Sequence, residues 1–341
     1  MILRPAGRFF LTVFVLAMVA ASACGGSEAA DDEPEPLVIY SGRSESLVGP
    51  VIQQFQELTG IPVQVNYADT GPLAATLLEE GDRTPADVFF AQDPGGLGAV
   101  IDMLDELPDD VLSLPPEWAR SPEGKWIGIS GRARVLVYST ELLTEADLPA
   151  SIWDLTDPKW NGKLGWAPSN GSFQAMVTAM RLIWGEDKTR QWLDGIMANN
   201  PTVYSNNSSQ VAAASDGEIE IGMVNHYYLH RFLAEEGESF PARNWFTPDA
   251  DPGSVVLVAG AGVLEASDNK EAALRFMRFM MSDVAQQFFA TQTHEYPLIE
   301  GVAPDRLLPP LESITKPEID LSRLGDLEET QRVLREAGAL S

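Results

Sequence analysis

Residues 224–230 read VNHYYLH and concentrate the coordinating groups of the chain. His226 and His230 bracket the adjacent pair Tyr227–Tyr228, in a protein with three histidines and seven tyrosines. A phenol titrates near about 10, so at neutral pH it keeps its proton and ligates nothing. A hard, highly charged ion such as ferric iron can displace that proton, and the phenolate oxygen is then a matching hard donor. Neighbours on a regular strand face opposite sides. At a helix start, where the run IEIGMV gives way through polar Asn225 and His226, the two phenols can converge on one ion. The same dipeptide also reads as packing, with its hydroxyls bonded to backbone or water. The histidines read equally as surface or capping residues.

Other chemistry is hard to assemble. The sequence contains no Gly-x-Ser-x-Gly elbow, no His-Glu-x-x-His zinc motif, no P-loop and no Gly-x-Gly-x-x-Gly. His294, in THEYPL, stands apart from the tyrosine cluster in sequence, and DADPG (249–253) lacks the closing glutamate of a calcium loop. Binding without turnover is the expectation. A hydrolase using Ser169 or Ser172 is an alternative that lacks a partnering base.

The elements that would position these groups follow from periodicity. LVIYSG (37–42), IPVQVNYAD and ADVFFAQD (86–93) read as strands. Between them lie two amphipathic helices, stopped by Gly60 and Gly81, the first with Pro50 near its start. That alternation predicts a parallel α/β sheet with ligands beyond the strand ends, here SGRSES, ADTG and AQDPGG. Long strands near 130–138 and 254–263 suggest two crossovers between lobes, the hinge of a two-lobe clamp. A helix opens at SFQAM, and KEAALRFMRFMMSDVAQQFFATQ reads as one helix whose Met and Phe stripe is core.

The N-terminus reads as an export signal: Arg4 and Arg8, an apolar run shorter than the roughly 20 residues that span a bilayer, then ASAC. Cys24, the only cysteine, stands where a lipoprotein signal peptidase cuts, although Ala21 replaces the more usual leucine. Residues 1–24 are therefore a lipoprotein signal peptide, Cys24 the lipidation site, and 25–36 a flexible acidic tether. An ordinary secreted protein is the alternative. The expected location is outside the cytoplasm, cell-surface or periplasmic, with the membrane reached through the lipid alone. A net charge of −27 argues against nucleic acid and anionic surfaces as ligands and favours cations, though solubility explains much of it.

From LVIYSGRSE through FQELTGIPVQV, LLEEGDRTPADVFFAQD, ISGRARVLVY, PKWNGKLGWAPSNGSFQAMV, NHYY and DPGSVVLVAGAGVL to EYPL, the chain resembles the ferric-iron-binding proteins of bacterial ABC importers. The resemblance runs over about 37–340. It implies a type II periplasmic-binding-protein fold, with residues 37–132 and 262–305 in lobe 1 and 133–261 and 306–341 in lobe 2. It implies that Tyr227 and Tyr228 ligate Fe3+ and that a synergistic anion (phosphate, carbonate or citrate) completes the shell. The anion cradle would be Ser169, Asn170, Gly171, Ser172, Asn207 and Asn225, with Arg43, Ser44 and Arg132 as further candidates. An N-terminal helix turn opening at Ser172 is a natural anion site. The family histidine ligand is replaced by Ser44 and its glutamate by Gln92, with Asp93 beside it; Gln92 and Asp93 remain candidate metal ligands. Phe173 stands where some members have a further tyrosine. These departures imply more reliance on an anion, water or chelator. The implied partner is an ABC permease, and a monomer is the expected state. The alternative is the same clamp holding an oxyanion or phosphonate without metal.

Overall fold

The computed structural model describes residues 35–340, so the signal segment, Cys24 and the tether up to Pro34 lie outside it. Strand β1 (Leu37–Ser41) is followed by a helix, Glu45–Thr59, that puts Leu47, Val48, Val51, Ile52 and Phe55 into one core cluster. Each such burial is worth about 1.5–3 kcal/mol. Gly60, at φ 72°, ends the helix in the left-handed conformation that favours glycine. Pro50 lies inside this helix rather than near its start. β2 (Val63–Tyr67) is half-exposed, the helix Thr70–Glu80 stops before Gly81, and β3 (Val88–Ala91) is fully buried.

β4 (Ile127–Ser139) is a 13-residue strand with every residue buried. Further along come β5 (Leu164–Trp166), β6 (Thr202–Val203), β7 (Ile221–Asn225), β8 (Ala242–Trp245), β9 (Val256–Val263) and β10 (Tyr296–Pro297). The sheet runs β2-β1-β3-β9-β4-β7-β5-β6, with β8 and β10 also paired to β4. β1 is parallel to β2 and β3, and β5 is parallel to β6 and β7. β4 joins these two parallel groups. Its residues Ile127–Ala133 pair antiparallel with β9, and Arg134–Tyr138 pair antiparallel with β7. β9 runs back beside the first part of β4 and also pairs with β3.

The apolar stretch 270–292 is two helices, Lys270–Met280 and Asp283–Gln292, not one. Ser282 breaks it by accepting the Ala285 N–H as an N-cap. The continuous Met and Phe stripe concealed that cap, and the stripe itself is core.

Candidate metal and anion site

β7 ends at Asn225, and Tyr227 opens the helix Tyr227–Glu236. The tyrosine rings stack, with centroids 4.4 Å apart and planes at 28°. Tyr227 is fully buried, and its hydroxyl has no hydrogen-bond partner among the described residues. Tyr228 is half-buried and lines a cleft of about 860 Å³. Burial and the neighbouring Tyr227 push the Tyr228 phenol well above its ordinary value, against the pull of Arg43 and Arg132. A buried tyrosine hydroxyl ordinarily finds a partner. Tyr227 and Tyr296 both lack one outside the tyrosine pair among the described residues, and of the two only Tyr227 is stacked on a residue that lines the cleft.

The cleft is walled by the three strand ends expected from sequence, at Gly42–Glu45, Ala68–Pro72 and Gln92–Asp93, together with the Ser169–Gly171 turn. Gly42 and Gly96 let Thr70 nest between them; a Cβ on either would lie 2.1 Å from a Thr70 side-chain atom. Thr70 Oγ1 in turn accepts the Gln92 N–H at 3.0 Å.

Three guanidinium groups are buried beside the phenols. Arg43 donates to Glu295 and, at 3.3 Å, to Gln92 Oε1. Glu295 also accepts from Ser130 Oγ. Burial opposes the charge on Arg43, but Glu295 and the two phenols more than offset it, and its pKa is raised. Arg132 Nη1 donates to Ser172 Oγ at 3.3 Å. Arg134 donates to Asn225 Oδ1 at 2.9 Å, Asn207 Oδ1 at 3.4 Å and the Met223 carbonyl at 2.9 Å. Burial pushes Arg134 down to about 9, and Arg132 adds to that; it remains charged at neutral pH.

Asn225 and Asn207 therefore belong to one buried network rather than to the cleft wall. Asn225 Nδ2 donates to Ser172 Oγ at 3.2 Å, and Asn207 Oδ1 accepts the Asn225 N–H at 3.0 Å. Asn207 Nδ2 and the Nε atoms of all three arginines lack partners among the described residues. Asn206, which lines the cleft, caps the helix Asn207–Ser215. Asn170 caps the helix Gly171–Trp184 by accepting the Phe173 N–H at 3.3 Å, and Ser172 is buried in its first turn. Ser44 stands at the cleft margin, its hydroxyl 3.3 Å from that of Ser46. Asp93 is buried and caps a short helix through the Gly96 N–H. Burial raises its pKa, while Arg132 and the N–H groups of Gly96 and Gly95 pull it back.

His294 does not stand apart. Its ring lies 5.3 Å from that of His230, which lies 6.4 Å from His226, so all three histidines gather behind the tyrosines. His226 is fully buried. Its Nδ1 accepts the Ala133 N–H at 3.1 Å, and its Nε2 lies 2.8 Å from the His294 carbonyl, which only accepts. Nε2 therefore carries the proton. Burial, with His230 adding, pushes its pKa down to about 3, so the ring is neutral and both nitrogens are occupied. It braces the start of the tyrosine helix and has no nitrogen left for a metal. The sequence reading missed Arg134 and Glu295.

The pattern of the family described as bacterial extracellular solute-binding protein matches residues 95–316. The major ferric iron-binding protein of Neisseria meningitidis serogroup B is 32% identical over 327 residues, covering 94% of this chain and 97% of that protein. The crystal structure of iron-bound HitA from Pseudomonas aeruginosa is 33% identical with a TM-score of 0.85, covering 89% of this chain and 100% of that one. A Trichodesmium protein, IdiA (FutA), in complex with iron and citrate is 27% identical with a TM-score of 0.78, covering 89% and 99%.

Proposed function

This chain belongs to the bacterial extracellular solute-binding proteins, and within that family we propose that it captures ferric iron together with an anion and delivers it to an ABC permease. The carrying observation is the Tyr227 hydroxyl, buried and unpartnered among the described residues, stacked on a Tyr228 that faces the cleft. Tyr227 and Tyr228 are the metal ligands, with the iron as cargo. The Ser169–Ser172 turn and Arg132 hold the anion, with Asn225 and Asn207 bracing Ser172 from behind. The unpartnered Arg132 Nε favours that assignment, since buried donors seek acceptors.

Charge supports the pairing of ion and anion. Beside the phenols, three buried guanidinium groups stand with two buried carboxylates, Asp93 and Glu295, which leaves one positive charge in excess. Two phenolates reverse that excess. A trivalent ion then leaves two positive charges, which a doubly charged anion cancels.

The lobes, 37–132 with 262–305 and 133–261 with 306–341, close on the cargo without chemical turnover. Export and lipidation at Cys24 hold the monomer at the membrane; Cys24→Ser should move it from the membrane pellet to the soluble fraction. The functional test is a visible phenolate-to-iron band on adding ferric salt to metal-free protein. Its loss in Tyr227→Phe supports the reading. Anion binding with no such band would make the cargo an oxyanion alone, as the excess positive charge would also suit.

A further inference from the structure

The anion cradle contains a group that an anion should avoid. Asp93 is 6% exposed and lines the cleft. Its Oδ1 accepts the Gly96 N–H at 3.3 Å. Its Oδ2 reaches the opposite wall, so that a Cβ placed on Gly171 would lie 3.4 Å from it. Gly171 opens the 14-residue helix whose first turn carries Ser172. In the same corner Arg132, 1% exposed, donates to Ser172 Oγ and leaves Nε without a partner among the described residues. Buried donors there call for an anion, and a carboxylate, which only accepts when ionised, is set among them.

We propose that Asp93 is a specificity-determining residue that selects, as companion of the ferric ion, an oxyanion still carrying a proton. This rests on the iron-plus-anion reading above and names the class of anion. Hydrogen phosphate and sulfate are both tetrahedral and doubly charged near neutral pH, so neither shape nor charge separates them. Hydrogen phosphate can donate its O–H to Asp93 Oδ2. Sulfate offers only lone pairs and would press them against the carboxylate. A site built around a buried hydrogen bond rejects the analogue that cannot make it, and a repulsive contact sharpens the difference. Bicarbonate also carries a proton to donate, but its single charge leaves one positive charge uncancelled; carbonate has the charge and no proton.

The test uses the exported full-length protein and matched inorganic anions. Phosphate and arsenate keep a proton near neutral pH; sulfate and selenate do not. Iron is supplied as ferric nitrilotriacetate, and the phenolate band is followed as each anion is titrated. Phosphate and arsenate should support loading at concentrations at least ~10-fold below those of sulfate and selenate. In Asp93→Asn, whose amide can donate to either class while still capping its helix, the ratio should fall to within ~3-fold. Equal support by all four anions in the native protein, or an unchanged preference in Asp93→Asn, overturns the proposal. If no anion gives a band, the iron reading fails instead. Calorimetric titration of the same four anions into metal-free protein then decides the role of Asp93 separately, with the same ratio expected. If the variant does not fold, the native protein's preference among the four anions alone supports or overturns the proposal.

Discussion

Glu295→Leu tests whether the buried ion pair behind the tyrosines is mutually dependent. Both side chains of the Arg43–Glu295 pair are wholly inaccessible. Removing Glu295 leaves a guanidinium that cannot shed its proton, with only Gln92 Oε1 at 3.3 Å to receive it. An unpaired buried charge costs about 3–5 kcal/mol. Ser130 also loses its acceptor, which adds about 1 kcal/mol. Replacing Arg43 by Met at the same time removes the orphaned charge, and apolar replacement of a whole buried pair is often close to neutral. The double variant should therefore be more stable than Glu295→Leu alone, with a coupling of about 2–4 kcal/mol. Urea unfolding of metal-free protein at neutral pH, followed by tryptophan fluorescence and compared at constant slope, measures this. Simple additivity, or a loss below ~1 kcal/mol in Glu295→Leu, would refute the reasoning.

Ferric affinity should fall steeply with acid, by up to about 100-fold per pH unit, because two phenols must each release a proton. Equilibrium dialysis against ferric nitrilotriacetate across the neutral range, with the proton taken up by the released chelator added back, would show it, and a corrected dependence of one proton or less would exclude paired phenolates. Stability should also fall with acid. His226 and His230 are pushed down to about 3 and about 4, so below the ordinary histidine value of 6.5 the unfolded chain binds protons that the folded one does not. The slope is up to about 1.4 kcal/mol per pH unit for each ring until its folded value is reached, and His226→Gln should flatten it in urea titrations at several pH values. Ser172→Ala strips Arg132 and Asn225 of a shared acceptor. It should lower stability by about 1–3 kcal/mol and raise the phosphate needed for loading by roughly 10-fold, read from the phenolate band.

Local signals carried much of this fold. The runs at 37–42 and 86–93 became β1 and β3, and the glycine stops at 60 and 81 fell where expected. The helix start at Tyr227 was visible because a β-rich run met polar Asn225–His226. What escaped was nonlocal or a matter of phase. Glu295 finds Arg43 across 252 residues of chain, and nothing near either residue announces the other. His294 joins the histidines through a loop where it takes φ 55°, unusual for a residue with a side chain. Arg134 was legible in principle: Ser130, Arg132 and Arg134 alternate with Gly131, Ala133 and Val135, which marks one polar face of a buried strand. Asn206 and Asn207 differ by one step of a helix start, enough to put the first on the cleft and the second into the Arg134 network.

Three arginines buried beside the phenols are unexpected company for the proposed cation site until the order of charges is considered. Without cargo they favour the phenolate form, opposing the burial that holds the Tyr228 proton on. Once a ferric ion arrives they repel it, and their Nε donors remain unpaired among the described residues. An anion relieves both faults, since it accepts from the donors and screens the ion. Iron and anion must then strengthen one another by the same factor, because coupling between two bound species is reciprocal. A metal-free protein should hold its anion weakly and an anion-free protein its iron weakly. Removing Arg132 should reduce the coupling more than it reduces the affinity for either alone. On the proposed reading the arginines would turn two moderate binding events into one conditional capture, in which loss of either component is enough to loosen the other.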